Sequence, residues 1–360
     1  MTTVSIAFLL LMSPGAAQQT SGMESPASAG AVPILQTAPE DPASDLTGGT
    51  GTRRALILCG HPGTDDFDKI YRQSVVKIRD ALLSKWGYSA DHVWVRCGTE
   101  GDPGSDPEPA SSRGPATRDA IAADVAQLQQ VLAPHDSLWV VVIGHSHFDG
   151  QNVFWNLPGP DMSQSDFGAM FDELTCREQV FIITVPASGF FIRDLSAAGR
   201  VVITATAADA ETNESQFQWH LARVLQDPPA AADLDRDQDG RITLLDMYLL
   251  IVRRLMSEYQ DCKLIPTEHA LLDDNGDGRG SELQLDDLEP ELGGRAFRRP
   301  LRVVIRPPND GVLAASISMD RRAQGAASDQ PRPEVSDPDD VKTNPEAADS
   351  LTTNGTNQHE

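Results

Sequence analysis

Apolar positions in this chain fall into two alternating patterns. Residues 54–60 (RALILCG) form a continuous apolar run closed by glycine, which predicts a short buried strand. Asp65 and Asp66 then open a stretch with Phe67, Ile70, Tyr71, Ser74, Ile78 and Leu82 at helical spacing, ended by Gly87. Residues 92–96 predict a second strand, and 98–114 a loop rich in Gly, Pro, Asp and Ser. Thr117 is placed to cap a helix through Leu132, with Ile121, Val125, Leu128 and Leu132 on one face. Residues 137–143 (SLWVVVI) are a fully apolar strand running into Gly144-His145. A helix over 165–174 carries Phe167, Met170, Phe171 and Leu174 on one side, and apolar strands follow at 179–184 and 200–205. Strands apolar on both faces, alternating with helices, predict a three-layer α/β/α architecture around a parallel sheet. In such sheets functional side chains gather past the carboxyl ends of the strands.

The ends of the chain read differently. Residues 4–12 are a short apolar run, followed by small residues at Gly15, Ala16 and Ala17. That predicts a secretory signal over 1–17, although Met1-Thr2-Thr3 lacks the usual basic residue. The run is too short to span a bilayer, and no other apolar stretch is long enough. The expectation is therefore a secreted or periplasmic protein with no integral membrane span after cleavage. Residues 18–52 read as a flexible linker and 320–360 as a disordered acidic tail. The folded part divides into an α/β domain (53–227), an acidic segment (228–290) and a C-terminal extension of the core (291–319).

Charge narrows the partners. The chain of 360 residues has 53 Asp+Glu against 29 Lys+Arg, a net charge of −24. Such a surface disfavours nucleic acid and anionic membranes, which are held by basic residues. The 4 cysteines, Cys59, Cys97, Cys176 and Cys262, are scattered. Cys59 and Cys97 each end a predicted strand and are possible neighbours in a sheet; a disulfide and buried thiols both remain open.

Past the strand ends stand two notable loops. The strand at 137–143 leads into Gly144-His145-Ser146-His147-Phe148-Asp149-Gly150, and the next into Val185-Pro186-Ala187-Ser188-Gly189. A histidine on one strand end and a hydroxyl on the next is the arrangement of a base and its nucleophile. In their order and spacing these loops, the opening Asp65-Asp66-Phe67 helix and the later Gly199-Arg200-Val201-Val202-Ile203-Thr204-Ala205 strand resemble the caspase/legumain clan of cysteine peptidases. The resemblance covers roughly residues 53–226. It implies a His–Cys dyad, with His145 as the histidine. Aligning Ser188-Gly189 with the family's Ser-Gly places Pro186 at the cysteine, and Ser146 replaces the glycine that usually follows the histidine. Proline has no nucleophilic atom, so the implied thiol chemistry is lost. Ser188 is the one hydroxyl left in that loop to serve as an alternative nucleophile with His145. Phe154 and Trp155 lie where a groove for a protein or peptide partner would be.

The acidic segment carries the sharpest motif. In residues 235–246, Asp235, Asp237 and Asp239 occupy calcium-loop positions 1, 3 and 5, and Gly240 gives the sharp turn at 6. Arg241 offers a backbone carbonyl at 7, Ile242 the hydrophobic plug, Thr243 a ligand at 9, and Asp246 a shortened acid at 12. A helix continues from Thr243, while Pro228-Pro229 preclude a full entering helix, as in dockerin-type loops. A second candidate has Asp273, Asn275 and Asp277 at 1, 3 and 5, then Gly278, Arg279 and, as a substitute acid, Glu282. Residues 267–272 before it read as helical. The two segments either form one split pair or bind separately. The functional expectation is a secreted calcium-binding protein without cysteine peptidase activity. Its alternatives are a hydrolase using His145 with Ser188, and a dockerin-like adhesion module.

Overall fold

The computed structural model describes residues 51–97, 112–208, 211–235, 240–282 and 310–319. The leader, almost all of the 18–52 linker and the 320–360 tail lie outside them. A seven-stranded sheet forms the centre, in the order β10-β9-β8-β7-β3-β1-β2. Strands β1 (Arg53–Cys59), β2 (Val93–Arg96), β3 (Ser137–Ile143), β7 (Glu178–Ile183) and β8 (Arg200–Thr204) pair in parallel. These are the apolar runs of the sequence, each within a residue or two of its expected bounds.

Alternation along β1 shows why both faces are covered. Ala55, Ile57 and Cys59 join one apolar layer, while Leu56 and Leu58 join the other. Helices α1 (Asp65–Lys85), α5 (Phe217–Gln226) and α7 (Leu244–Asp261) bury their apolar stripes in the first. Helices α2 (Arg118–Val131), α3 (Gln164–Ala169) and α4 (Phe191–Leu195) pack on the second. Thr117 caps α2 as expected, and Thr64, not singled out from the sequence, caps α1. Thr64 Oγ1 accepts from the Phe67 amide and Thr117 Oγ1 from the Ala120 amide, each satisfying a free N–H of a first turn.

Three features correct the simple parallel picture. First, residues 267–272 are not helical. Strand β9 (Leu271–Asp273) pairs antiparallel with β8, placing Leu272 opposite Ile203, and β10 (Ser281–Glu282) pairs antiparallel with β9. Leu272 gains a buried place in the sheet layer, which outweighs the local helical preference of the segment. Second, a separate antiparallel sheet, β4 (Ser146–Phe148), β5 (Val153–Trp155) and β6 (Met162–Ser163), follows His145. Its strands are two or three residues long and show no clear alternation in the sequence. Third, the helix expected over 165–174 ends at Ala169 and continues as turns through Leu174.

Helix α6 (Ala231–Leu234) is one turn long, in keeping with Pro228-Pro229 before it. The last described segment holds α8 (Val312–Ser316). No helix among the described residues is long and apolar enough to cross a membrane.

Candidate functional site

His145 stands directly past the carboxyl end of β3. Its Nε2 lies 2.6 Å from the Pro62 carbonyl oxygen, which can only accept, so Nε2 carries a proton and donates it. Its Nδ1 meets Glu214 Oε1 in a short ion-pair contact. Tyr71 donates its hydroxyl to Glu214 Oε2 at 2.7 Å and lies 3.1 Å from Nδ1. Phe67 packs edge-on against the imidazole, with ring centroids 4.6 Å apart. Burial opposes the charge on the ring, but the hydrogen bond and charge of Glu214 and the Pro62 carbonyl outweigh it, so the His145 pKa is raised. Burial, then Glu214, pushes the Tyr71 phenol far above its usual range.

The chemical consequence is specific. A general base needs a ring nitrogen with a free lone pair facing the proton it will take. Here both nitrogens face acceptors, which favours the imidazolium and leaves no lone pair.

The loop after β7 departs from a nucleophile loop in the same sense. Ser188 is fully buried. Its Oγ accepts from the Ala205 amide at 3.0 Å and the Thr206 amide at 3.1 Å, and lies 3.1 Å from Thr206 Oγ1. The Ser188 amide donates to Thr206 Oγ1 at 2.8 Å. Ser188 thus ties the end of β7 to the end of β8, and no hydrogen bond joins it to His145. Gly189 lies so close to the next loop that a Cβ there would come within 2.5 Å of the Ala208 nitrogen. Ala187 adopts a left-handed conformation, φ 50°, held by its amide donating to the Glu211 carbonyl at 2.8 Å. Ser146 Oγ donates to the Pro186 carbonyl at 2.5 Å.

Several of these partners were not singled out from sequence. Glu214, Glu211 and Glu268 fall in loops without a motif. Glu211 Oε2 accepts from the Ala207 amide at 2.7 Å and the His269 amide at 2.9 Å, while Oε1 meets the His269 ring. Glu268 is buried ahead of α5, where Ser215 Oγ donates at 2.7 Å, the Gln216 amide at 3.0 Å and the Tyr259 hydroxyl at 2.9 Å. Burial pushes its carboxyl up to about 7 against those hydrogen bonds. The available signal was position, since Glu211 and Glu214 lie past the carboxyl end of β8.

Among the described residues, no strand pairing or bridge joins the two acidic loops. In the first, Thr243 forms a bridge with Ser318, and the Leu244 amide donates to the Ile317 carbonyl at 2.9 Å. Asp246 and Thr243 make a reciprocal cap of α7. Thr243 N and Oγ1 donate to Asp246 Oδ2 at 2.9 and 2.7 Å, and the Asp246 amide returns a bond to Thr243 Oγ1. Asp235 Oδ2 accepts from the Gly240 amide at 2.9 Å, while its Oδ1 is buried with no hydrogen-bond partner among the described residues. Arg241 is exposed; Asp237 and Asp239 lie outside the described residues.

The second loop is the turn of the β9–β10 hairpin. Asp273 Oδ1 accepts from the Gly276 amide at 3.2 Å and its Oδ2 is buried without a hydrogen-bond partner among the described residues, although the nearby Ser196 hydroxyl favours the ionised carboxyl. Asn275 Oδ1 accepts from the Asp277 amide and Asp277 Oδ1 from the Arg279 amide, both at 2.8 Å. Glu282 is exposed on β10. Asp274 Oδ1 and Oδ2 accept from the Gly311 and Ala314 amides at 2.8 Å, capping α8. Among the described residues, no three His, Cys, Asp or Glu side chains are grouped as a metal site. No protein-family model matches this chain, and no curated protein matches it.

Proposed function

We propose that this protein is an exported, calcium-stabilised binding module on a caspase/legumain-like fold that has lost peptide hydrolysis. One observation carries the reading. The two positions at which the sequence departs from the family's dyad, Ser146 and Pro186, are bonded to each other, hydroxyl to carbonyl at 2.5 Å. Around them His145 is held by acceptors on both nitrogens, and Ser188 spends its oxygen on backbone amides. The strand ends are thereby built as a fixed surface. Phe148, stacked on Phe190 with ring centroids 4.8 Å apart, and the exposed His147 supply its contact chemistry for a protein or peptide partner.

Calcium fits the donor chemistry of the first loop. Asp235 has one oxygen fixed by the amide at position 6 and the other buried without a partner, which is how a first ligand is presented to a cation. Asp273 repeats the feature in the second loop. Thr243 and Asp246 are held at the start of α7 beside the first loop. Export rests on the apolar run at 4–12 with its small residues.

A serine-reactive fluorophosphonate and a broad peptide library test the loss of hydrolysis. The expected result is neither labelling nor cleavage. Labelling that disappears in Ser188→Ala would overturn the reading in favour of a serine hydrolase.

A further inference from the structure

Cys59 is the last residue of β1, and the parallel register pairs Leu58 with Arg96, so the next pair along is Cys59 with Cys97. Both side chains enter the same apolar layer, at 2% and 1% exposure. Cys59 Sγ donates to the Gly60 carbonyl at 3.8 Å, and the neighbouring Cys97 thiol raises the Cys59 pKa. Neighbouring strands lie about 4.8 Å apart, within the roughly 4.4–6.8 Å Cα spacing that a disulfide spans. We infer that Cys59 and Cys97 are a redox-modification site that closes into a disulfide across the ends of β1 and β2.

The two cysteines contribute unequally to closure. Gly60 fixes the Cys59 side. Its amide donates to the Ile143 carbonyl at 2.9 Å, and a Cβ at Gly60 would come within 2.4 Å of the Asn156 carbonyl oxygen. Cys97 has left the β1 ladder, and its amide donates to the Gly114 carbonyl at 3.1 Å. Cys97 therefore supplies the small shift that brings the sulfurs into bonding range. In the folded chain the Cys97 hydrogen bond and burial hold the Cys59 thiol well above its usual range. A reactive thiolate is thus disfavoured once the core has closed, and the bond forms during oxidative folding.

The chemistry balances with a small-molecule or protein disulfide as oxidant. One cysteine thiolate attacks a sulfur of that disulfide and expels a thiol. The second cysteine then attacks the mixed disulfide and expels the other. Two protein thiols are oxidised, one external disulfide is reduced to two thiols, and the protein loses about 2 Da as two hydrogens. Pro62, whose carbonyl holds His145, follows Cys59 by three residues, so the bond braces the segment that carries it. The inference shares with the proposed function only an exported setting, and the test below does not depend on that setting.

The full chain is refolded in a glutathione redox buffer, alkylated in denaturant and mapped by mass spectrometry without reduction. The expected map shows one peptide pair joining Cys59 to Cys97, about 2 Da lighter than the two thiol peptides, with Cys176 and Cys262 alkylated. Thiols titrated in denaturant fall from the sequence's 4 to 2. Dithiothreitol lowers the wild-type Tm and leaves that of Cys97→Ala unchanged. If oxidative refolding recovers little protein, the refolding is repeated in the same redox buffer with arginine added to suppress aggregation, and the soluble fraction is mapped in the same way. Alkylation of both Cys59 and Cys97 in folded, oxidised protein would overturn the inference, as would a bond from either one to Cys176 or Cys262.

Discussion

Glu214 sets the protonation of His145, and the pair predicts its own pH behaviour. A histidine whose folded pKa is raised adds stability that is fully present below the unfolded value near 6.5 and is lost as pH rises through the folded value. Glu214→Gln removes the charge that holds the ring protonated. The variant is expected to lower the His145 pKa, read by NMR titration, to cost about 1–2 kcal/mol at pH 6, and to flatten the stability loss above pH 6.5. An unchanged His145 titration would refute the assignment. Ser188 makes the complementary case. Removing an oxygen that accepts from two buried amides should cost about 1–3 kcal/mol in denaturant unfolding, with no change in fluorophosphonate labelling. His145 was readable in the sequence because an apolar strand runs straight into it. Its partners were not. Glu214 lies 69 residues away in a loop with no periodicity, and only the return of β8 beside β7 brings it to the ring.

Periodicity carried the elements whose burial is continuous. Strands β3, β7 and β8 each carry an unbroken run of buried apolar residues, and α1, α2 and α7 show one-sided stripes, so local pattern and tertiary role coincide. It failed where pairing alone makes the element. The strands β4, β5 and β6 are too short to show alternation. Leading into β9, Glu268, Ala270 and Leu271 suggest a helix, yet Glu268 is withdrawn from helical use as the acceptor for Ser215, Gln216 and Tyr259. That carboxyl joins the start of α5 to the end of α7, and its pKa is pushed up to about 7 from 4.5. An acid with a raised folded pKa favours the protonated form in the folded state. Its contribution is present below the unfolded value and is lost as pH rises through about 7. Stability should therefore fall by roughly 3 kcal/mol between pH 4.5 and 7 through this group, a lower window than that of His145. Glu268→Gln is expected to abolish that slope in urea titrations; an identical slope in the variant would show that Glu268 does not titrate in this window.

At the scale of the molecule, acidity becomes a claim about cations. Residues 233–289 hold 15 acidic against 6 basic side chains, and 320–360 hold 9 against 4. A segment with that excess repels itself unless a cation or salt offsets it. The end of the first loop is tied at Thr243 to both α7 and Ser318, so a cation held by Asp235 and Thr243 together would brace all three. By mass action, calcium at a hundredfold excess over its Kd adds about 2.7 kcal/mol, which for a chain of this size raises Tm by roughly 5–10 °C. Potassium chloride at matched ionic strength separates screening from binding, since screening does not depend on which salt supplies the ions. Magnesium separates site geometry from charge, because it demands a tighter octahedral shell. The expected order of Tm is calcium above magnesium, and magnesium close to potassium. Asp235→Asn should remove most of the calcium shift, and Asp273→Asn a further part if the hairpin turn also binds. Asn keeps the size of the native side chain and an oxygen that can accept from the Gly240 amide, so a folded Asp235→Asn protein with the full calcium shift would place the ion elsewhere. Equal shifts from calcium and potassium in the wild type would reduce the acidic segment to a screened surface.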